Sequence, residues 1–501
     1  MAGATNKGAG GGSGSVRYRE VDASYFEART LKQHAGIFTL WALGVGAVIA
    51  GEYSGWNFGL GSGGFGGMLI ATLIISVMYY GLCFCIAEMT AALPHTGGAY
   101  SFARTAVGPW GGFTTGLAEN IEFILAPAGN MFFMSAYLAA LFGTPDWAMP
   151  VWWVIGYAVM LTLSFRGLAL SMRVVVVVTV AAIAILLVFF AASIPHLDFA
   201  RYALNIGTGP DGAAVELPDG NGPWLPFGVH GIFVALPFAI YMFLAIEQLP
   251  LTAEESHAPQ RDMPRALILG ITTLVALALG VLFLNTSVPK GAFSLSTSGE
   301  PLLDGFRAIF GEGYAKLLAG VAVVGLAASF FAGSFASGRN IYSLSRAGYL
   351  PTGLSVTHGT HKTPNIALIA SSVIALGVLF LLWFAMKGNM ALIGGTIVNM
   401  IVFAAMVSYV MQCWAFIRLR KNFPTLERPY RNPFGILGAV VTIIIAAVTL
   451  VFQFLDPAYR IGVAGAAIWF ALGMAYFAFY RRNHLVLSPE EQFAVTHKAK
   501  T

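Results

Sequence analysis

Long apolar stretches alternate along the chain with short segments that hold nearly all of its Lys and Arg residues. A membrane-crossing helix needs roughly 20 mostly apolar residues. Twelve runs meet that length, at about 34–61, 65–93, 109–142, 147–165, 173–194, 228–254, 265–288, 314–342, 364–386, 389–417, 433–454 and 460–480. The stretch 302–312 carries Leu302, Leu303, Phe306, Ile309 and Phe310 at helical spacing, which predicts a short surface helix rather than a thirteenth crossing.

Composition agrees with the pattern. Of the 501 residues, 57% are hydrophobic and 10% charged, against about 25% charged in a soluble domain. Mean hydropathy is +0.73. A soluble enzyme, a disordered chain and a coiled coil are excluded, and an all-α membrane protein remains. The net charge of +5 does not point to nucleic acid, because the basic residues sit in short loops. Of the 28 Lys and Arg, 22 fall on the side of both termini and 6 on the other. The positive-inside bias therefore predicts cytoplasmic termini and a bacterial inner-membrane location. Residues 1–15, rich in Gly and Ser, are expected to be disordered, and no apolar leader precedes the first run. Cys83, Cys85 and Cys413 lie inside apolar runs, so neither a disulfide framework nor a zinc site is expected.

Two runs are poor helices at their centres. The first contains Gly44, Gly46, Gly51 and Gly55 together with Glu52. Each glycine costs about 1 kcal/mol of helix propensity, and a central carboxylate roughly 2.5–3.5 kcal/mol on insertion scales. Close helix packing through small residues accounts for glycines alone; glycines beside an ionisable residue predict an unwound, site-forming helix. In the sixth run Pro237 and Pro250 bracket Glu247 and Gln248, which predicts a weak helix around 243–249. A plain proline kink is the alternative there. Because the breaks fall in the first and sixth runs, a five-helix unit repeated in opposite orientation sets them face to face. The chain then divides into a tail over 1–32, a first repeat over 33–194, an external loop over 195–227, a second repeat over 228–418, two further helices over 419–482 and a tail over 483–501. The two long loops on the side opposite the termini, about 195–227 and 289–313, read as external caps without chemistry of their own.

Five acids fall within or near membrane depth: Glu52, Glu88, Glu119, Glu122 and Glu247, and no Lys or Arg is expected beside them. A buried carboxyl must be protonated, hydrogen-bonded or paired with a cation. The missing cation can be a cargo, such as a small organic cation or a proton. Glu119 and Glu122 share a helix face at i, i+3 and form a candidate proton-coupling pair. Either may instead brace a neighbouring helix. Ile49, Gly51, Glu52 and Tyr53 at the first break, Tyr241, Phe243 and Glu247 at the second, and Glu119 and Glu122 complete a candidate substrate site. Ring faces of Tyr241 and Phe243 attract an ammonium by about 0.5–2 kcal/mol. Glu88 and Arg339 are candidates for the cytoplasmic gate. Metal-ligand spacing, a nucleophile elbow and a phosphate loop are all missing from the sequence, so no cofactor, metal or enzymatic activity is expected.

Gly44-x-Gly46-x-x-x-x-Gly51, the stretch from Ala87-Glu88 through Pro94-His95-Thr96-Gly97-Gly98-Ala99-Tyr100, Ala253-Glu254-Glu255, and Arg339-Asn340 with Ser345-Arg346-Ala347-Gly348-Tyr349-Leu350-Pro351 resemble motifs of the amino acid–polyamine–organocation transporter superfamily. Gly51-Glu52-Tyr53-Ser54-Gly55-Trp56-Asn57-Phe58-Gly59-Leu60 and Gly116-Leu117-Ala118-Glu119-Asn120-Ile121-Glu122 resemble its bacterial ethanolamine permeases in particular. The resemblance implies twelve transmembrane helices in a five-plus-five inverted repeat with broken first and sixth helices, two extra C-terminal helices, and protonated ethanolamine as cargo, with proton or sodium coupling open. Glu52 departs from the amino acid carriers of the superfamily, which hold a substrate carboxylate at that break; an anion there repels a carboxylate and attracts an ammonium. Glu52 as a cap of the outer half-helix is the plainer alternative. An amino acid or polyamine carrier of the same fold and an amine-binding membrane sensor are the competing functions.

Overall fold

A computed structural model of the chain describes residues 16–19, 21, 25, 35–94, 97–165, 172–204, 220–357, 363–455 and 460–498. The Gly/Ser-rich stretch 1–15, His95 and Thr96 of the second-helix motif, and loop residues 205–219 lie outside the described residues, as do the side chains of Arg173, Glu254 and Glu255. Among the described residues, 11 helices are long and apolar enough to cross a membrane, and the shorter apolar segment Ile37–Tyr53 brings the crossings to twelve. A protein with this many spans is a multi-pass, all-α membrane protein.

Both spans with weak helical sequences are broken. Span 1 is helical over Ile37–Val48, makes one further turn over Ala50–Tyr53, passes through extended Ser54, and resumes at Phe58. Gly64, with φ 65° and ψ −174°, separates this outer half from span 2, which runs on to Ala92. Span 6 is helical over Gly228–Tyr241 and continues, after a turn, as a narrower 3-10 helix over Ile246–Glu255. The break in span 1 starts later than the glycines suggest. Gly44 and Gly46 sit in regular helix, and their role is close packing: a Cβ on Gly44 would lie 2.9 Å from Ile246 Cδ1, and one on Gly46 would collide with Thr179 Oγ1.

The two halves carry the same device on opposite faces. A ten-residue helix, Gly98–Val107, follows span 2 and ends at Gly108 (φ 113°, ψ −174°), where span 3, Pro109–Phe142, begins. The helix that follows span 7 (Pro259–Thr286) starts at Pro301 and turns at Gly311 (φ 74°, ψ 170°) into span 8, which ends at Arg346. Five spans separate these glycines, and an odd number of crossings places them on opposite faces. Only glycine takes such backbone angles freely. The helix at 301–310 is not a surface helix, because Leu302, Leu303 and Phe306 are fully buried. Nor is the loop before it featureless, since residues 291–295 are helical.

Spans 4, 5, 9, 10, 11 and 12 are Met149–Phe165, Met172–Ser193, Asn365–Ala385, Met390–Asn422, Gly435–Gln453 and Arg460–Phe479. Spans 3 and 8 pack along one another through the centre. Strands Tyr18–Arg19 and Leu485–Val486 pair in parallel, so both tails meet on one face, called here the terminus face. The C-terminal tail carries a helix over Pro489–Lys498.

Candidate functional site

The break in span 1 is held by side chains from spans 3 and 8 and by a backbone carbonyl of span 5. Ser329 of span 8 donates to Gly46 O at 2.7 Å and accepts from Ala50 N at 2.9 Å, bridging the residues where the helix is interrupted. The Tyr53 hydroxyl donates to Ala182 O in span 5, and Tyr137 of span 3 donates to Tyr53 O, both at 2.8 Å. Tyr53 therefore anchors the break to span 5 through its hydroxyl. No sequence signal marked Ser329.

In span 6 the break centres on Ala245, whose φ of 87° is rare for a residue with a Cβ. Glu247 explains how it persists. Both of its carboxyl oxygens accept from Ala245 N, at 3.0 and 3.1 Å, folding the side chain back over the strained turn. The two breaks touch: a Cβ on Gly51 would stand 2.5 Å from Tyr241 O. Gly55 (φ 95°) lies flat against the Tyr241 ring, whose hydroxyl reaches Asn130 Oδ1 at 3.3 Å. The Phe243 ring packs on Tyr79 with centroids 5.4 Å apart.

Four carboxyls are buried at this level, each no more than 2% exposed: Glu52, Glu119, Glu122 and Glu247. They do not form a single cluster. Glu122 lies against Glu247, with Glu119 close behind. Neither Glu122 oxygen has a partner at hydrogen-bonding geometry, and two carboxyls bond only when one carries a proton to share. Glu119 is braced, accepting from Asn340 Nδ2 of span 8 at 3.4 Å. The i, i+3 spacing thus does not give a private Glu119–Glu122 pair; the partner of Glu122 comes from span 6. Glu52 stands apart at the first break, and both its oxygens lack a hydrogen-bond partner among the described residues. No cluster of three or more His, Cys, Asp or Glu able to hold a metal occurs among the described residues.

Glu88 is different, and the expectation that it lacks a basic neighbour is wrong. Its carboxyl takes both Arg420 nitrogens, Nε at 2.9 Å and Nη2 at 2.6 Å, together with Arg428 Nε at 3.2 Å and Asn432 N at 2.7 Å. These partners lie at the end of span 10 and in the loop beyond it. Arg420 and Arg428 were assigned to loops by sequence, and span 10 extends far enough to bring one of them back. Arg339, the other gate candidate, lies over the Phe335 ring at 4.8 Å and is not the partner of Glu88.

Hydrogen bonds tie elements together on both faces of the bundle. On the face opposite the termini, Asn57 Nδ2 donates to Leu295 O at 2.6 Å and Ser298 O at 2.8 Å, and Ser54 Oγ donates to Gly299 O at 3.2 Å. Beside this strap a cavity of about 340 Å3 is lined by Asp146, Glu300, Asp304 and Arg307, among others. Burial raises the Glu300 carboxyl above its ordinary range, although Arg307 pulls the other way. On the terminus face, fully buried Glu491 of the tail helix accepts from Arg104 Nε at 2.5 Å, Tyr349 at 2.8 Å, Tyr18 at 2.7 Å and Tyr100 at 3.3 Å. The buried acids thus lie at the level of the two breaks, with these tied segments on either face.

Residues 39–487 match the family described as Amino acid permease. An uncharacterized transporter of Rhizobium meliloti is 28% identical over 453 residues, 88% of this chain and 90% of its own. The methylthioribose transporter of Bacillus subtilis is 24% identical over 94% of this chain and 98% of its own length. The D-serine/D-alanine/glycine transporter of Escherichia coli is 23% identical over 75% and 78%. Among solved structures, the manganese transporter of Eremococcus coleocola aligns with a TM-score of 0.53 at 13% identity, over 92% of this chain and 98% of that one. That likeness concerns the fold, which is the five-plus-five inverted repeat with broken first and sixth helices.

Proposed function

We propose, from the premise that the chain belongs to the amino acid permease family of secondary transporters, that its cargo is protonated ethanolamine or a closely similar small amino alcohol. One observation carries this reading: carboxyls are buried at both breaks, and no Lys or Arg among the described residues is paired with them. Among the described residues Glu52 has no hydrogen-bond partner, and Glu122 and Glu247 have only each other and neutral groups. A carboxylate left so in low dielectric costs several kcal/mol, and a bound ammonium removes that cost.

In this reading Glu52 is the counter-charge at the first break, and Tyr241 and Phe243 close over the cargo from the second. Glu122 holds one proton toward Glu247 and the coupling proton goes to Glu247, so entry of that proton and one cargo cation offsets the charges of Glu247 and Glu52. The cycle is alternating access: the Asn57 strap and the terminus-face contacts open in turn. The terminus face is cytoplasmic, and the membrane is the bacterial inner membrane.

A second reading, an amino acid cargo, draws on relatives named for amino acid transport. It needs donors for a carboxylate at a break where Glu52 already holds negative charge. Counterflow of labelled ethanolamine in proteoliposomes decides between them. Competition by unlabelled ethanolamine, not by amino acids, is expected, together with loss of counterflow in Glu52→Gln. Stronger competition by amino acids, or full counterflow in Glu52→Gln and Glu247→Gln, overturns the reading.

A further inference from the structure

Span 2 and span 10 each send one tyrosine to the second break. Tyr79 and Tyr409 are wholly buried, and their hydroxyls stand 3.0 Å apart. The Tyr79 hydroxyl also lies 3.5 Å from Ile240 O, in the last turn of the outer half of span 6. The Tyr409 hydroxyl faces the Glu247 carboxyl, near enough to interact with it electrostatically. Four groups thus form a row: Glu247 carboxyl, Tyr409 hydroxyl, Tyr79 hydroxyl, Ile240 carbonyl.

We propose that Tyr79 and Tyr409 are positioning residues that report the proton on the Glu122–Glu247 site to the broken end of span 6. The inference rests on the coupling role given to that site above. The argument is a count of donors. A carbonyl and a carboxylate only accept, and a tyrosine hydroxyl donates once. With Glu247 ionised, three links must be made by two hydroxyl protons. The carboxylate takes the Tyr409 proton, because charge-assisted bonds are the stronger ones. Tyr79 then donates to Tyr409, and the longest link, to Ile240, lapses. With a proton on Glu247, three donors serve three links. Glu247 donates to Tyr409, Tyr409 to Tyr79, and Tyr79 to Ile240.

Arrival of the proton therefore adds one hydrogen bond between span 2 and the outer half of span 6. No proton travels along the row; two hydroxyls swing. Ile240 O is already the acceptor for Phe243 N at 2.9 Å, the turn that opens the break. The added bond thus acts on the residue where the helix is interrupted, and Phe243, stacked on Tyr79, feels the same change. Among the described residues, the titratable groups facing Glu247 are Glu119 and Glu122 of span 3, Tyr79 and Cys83 of span 2, and Tyr409 of span 10. Tyrosine and cysteine stay protonated at neutral pH, so the carboxyls are the groups whose charge the row can follow.

The test uses the full chain in proteoliposomes, with Tyr79→Phe and Tyr409→Phe compared to the unaltered protein. Counterflow of labelled ethanolamine needs no net proton movement and is expected to stay within about twofold. Accumulation driven by a pH gradient is expected to fall about tenfold, the worth of one such bond. Gradient-driven accumulation equal to that of the unaltered protein in both variants overturns the proposal. So does equal loss of counterflow and accumulation, since that marks the pair as part of the cargo cycle or the packing. A second measurement needs no cargo: the shift of Tm across an acid-to-neutral series in detergent is expected to shrink in Tyr79→Phe. An unchanged shift there overturns the relay. Absence of ethanolamine counterflow in the unaltered protein instead overturns the cargo reading and leaves this second measurement standing.

Discussion

Gly51 and Tyr241 meet backbone to backbone, so close that a Cβ on Gly51 would stand 2.5 Å from Tyr241 O and 3.1 Å from Met242 Cα. This is the point where the two interrupted helices touch, and neither atom belongs to a flexible side chain. Gly51→Ala therefore has to push the breaks apart. Overpacking of this kind costs about 1–3 kcal/mol. Counterflow is expected to fall about tenfold or more, with a lowered Tm in detergent. Normal counterflow in Gly51→Ala would show that contact of the breaks is not needed.

Glu88 ties the end of span 2 to the end of span 10 through two arginines. Removing one member of a buried pair costs roughly 3–5 kcal/mol. Arg420 keeps 26% of its side chain exposed, which places the cost at the lower end. Glu88→Gln is expected to lower the Tm markedly, and Arg420→Lys to lower it less, because an ammonium cannot span both carboxyl oxygens. An unchanged Tm in Arg420→Lys would mean that the bidentate geometry carries no stability.

What could be read from sequence follows from what is expensive in a membrane. Glycines, prolines and carboxyls inside apolar runs violate helix propensity or solvation, so the two breaks and Glu52, Glu119, Glu122 and Glu247 were visible without coordinates. Which acid meets which was not. The partner of Glu122 lies in another repeat, and the partners of Glu88 are more than 300 positions away. Tyr79, Tyr409 and Ser329 carry no mark at all, because tyrosine and serine are ordinary residues of apolar helices. Gly44 and Gly46 illustrate the opposite error: their cost was visible, but close packing against Ile246 and Thr179, not unwinding, is what compensates it.

Asn57 links the outer half of span 1 to the segment before span 8 by two bonds, to Leu295 O and Ser298 O, and its own Oδ1 accepts from Gly55 N at 3.0 Å. Asn57→Ala removes all three and leaves the carbonyls to water. The far face is then expected to open more often. A Ser298→Cys reporter should react several-fold faster with a membrane-impermeant thiol reagent when Asn57→Ala is added. Identical labelling rates would show that this strap does not limit opening.

Glu491 predicts how the terminus face responds to base. Burial, then the neighbouring Glu491 carboxylate, hold the Tyr18 hydroxyl above its ordinary value, and Tyr349 is raised for the same two reasons. For Arg104, burial alone would lower the guanidinium, but Glu491 outweighs it and the net direction is up. Groups raised on folding contribute stability that is complete below their unfolded values and lost as pH rises through the folded ones. The clasp is therefore complete below about pH 10, the ordinary tyrosine value, and weakens only above it. Glu491→Ala strands Arg104 in a buried site and is expected to cost roughly 3–5 kcal/mol. Truncation after Ser488 should do the same while removing the alkaline transition. The Tm in detergent reads both variants, and limited proteolysis of the tail along a pH series reads the unaltered protein: release of the tail at neutral pH would show that the clasp does not hold it.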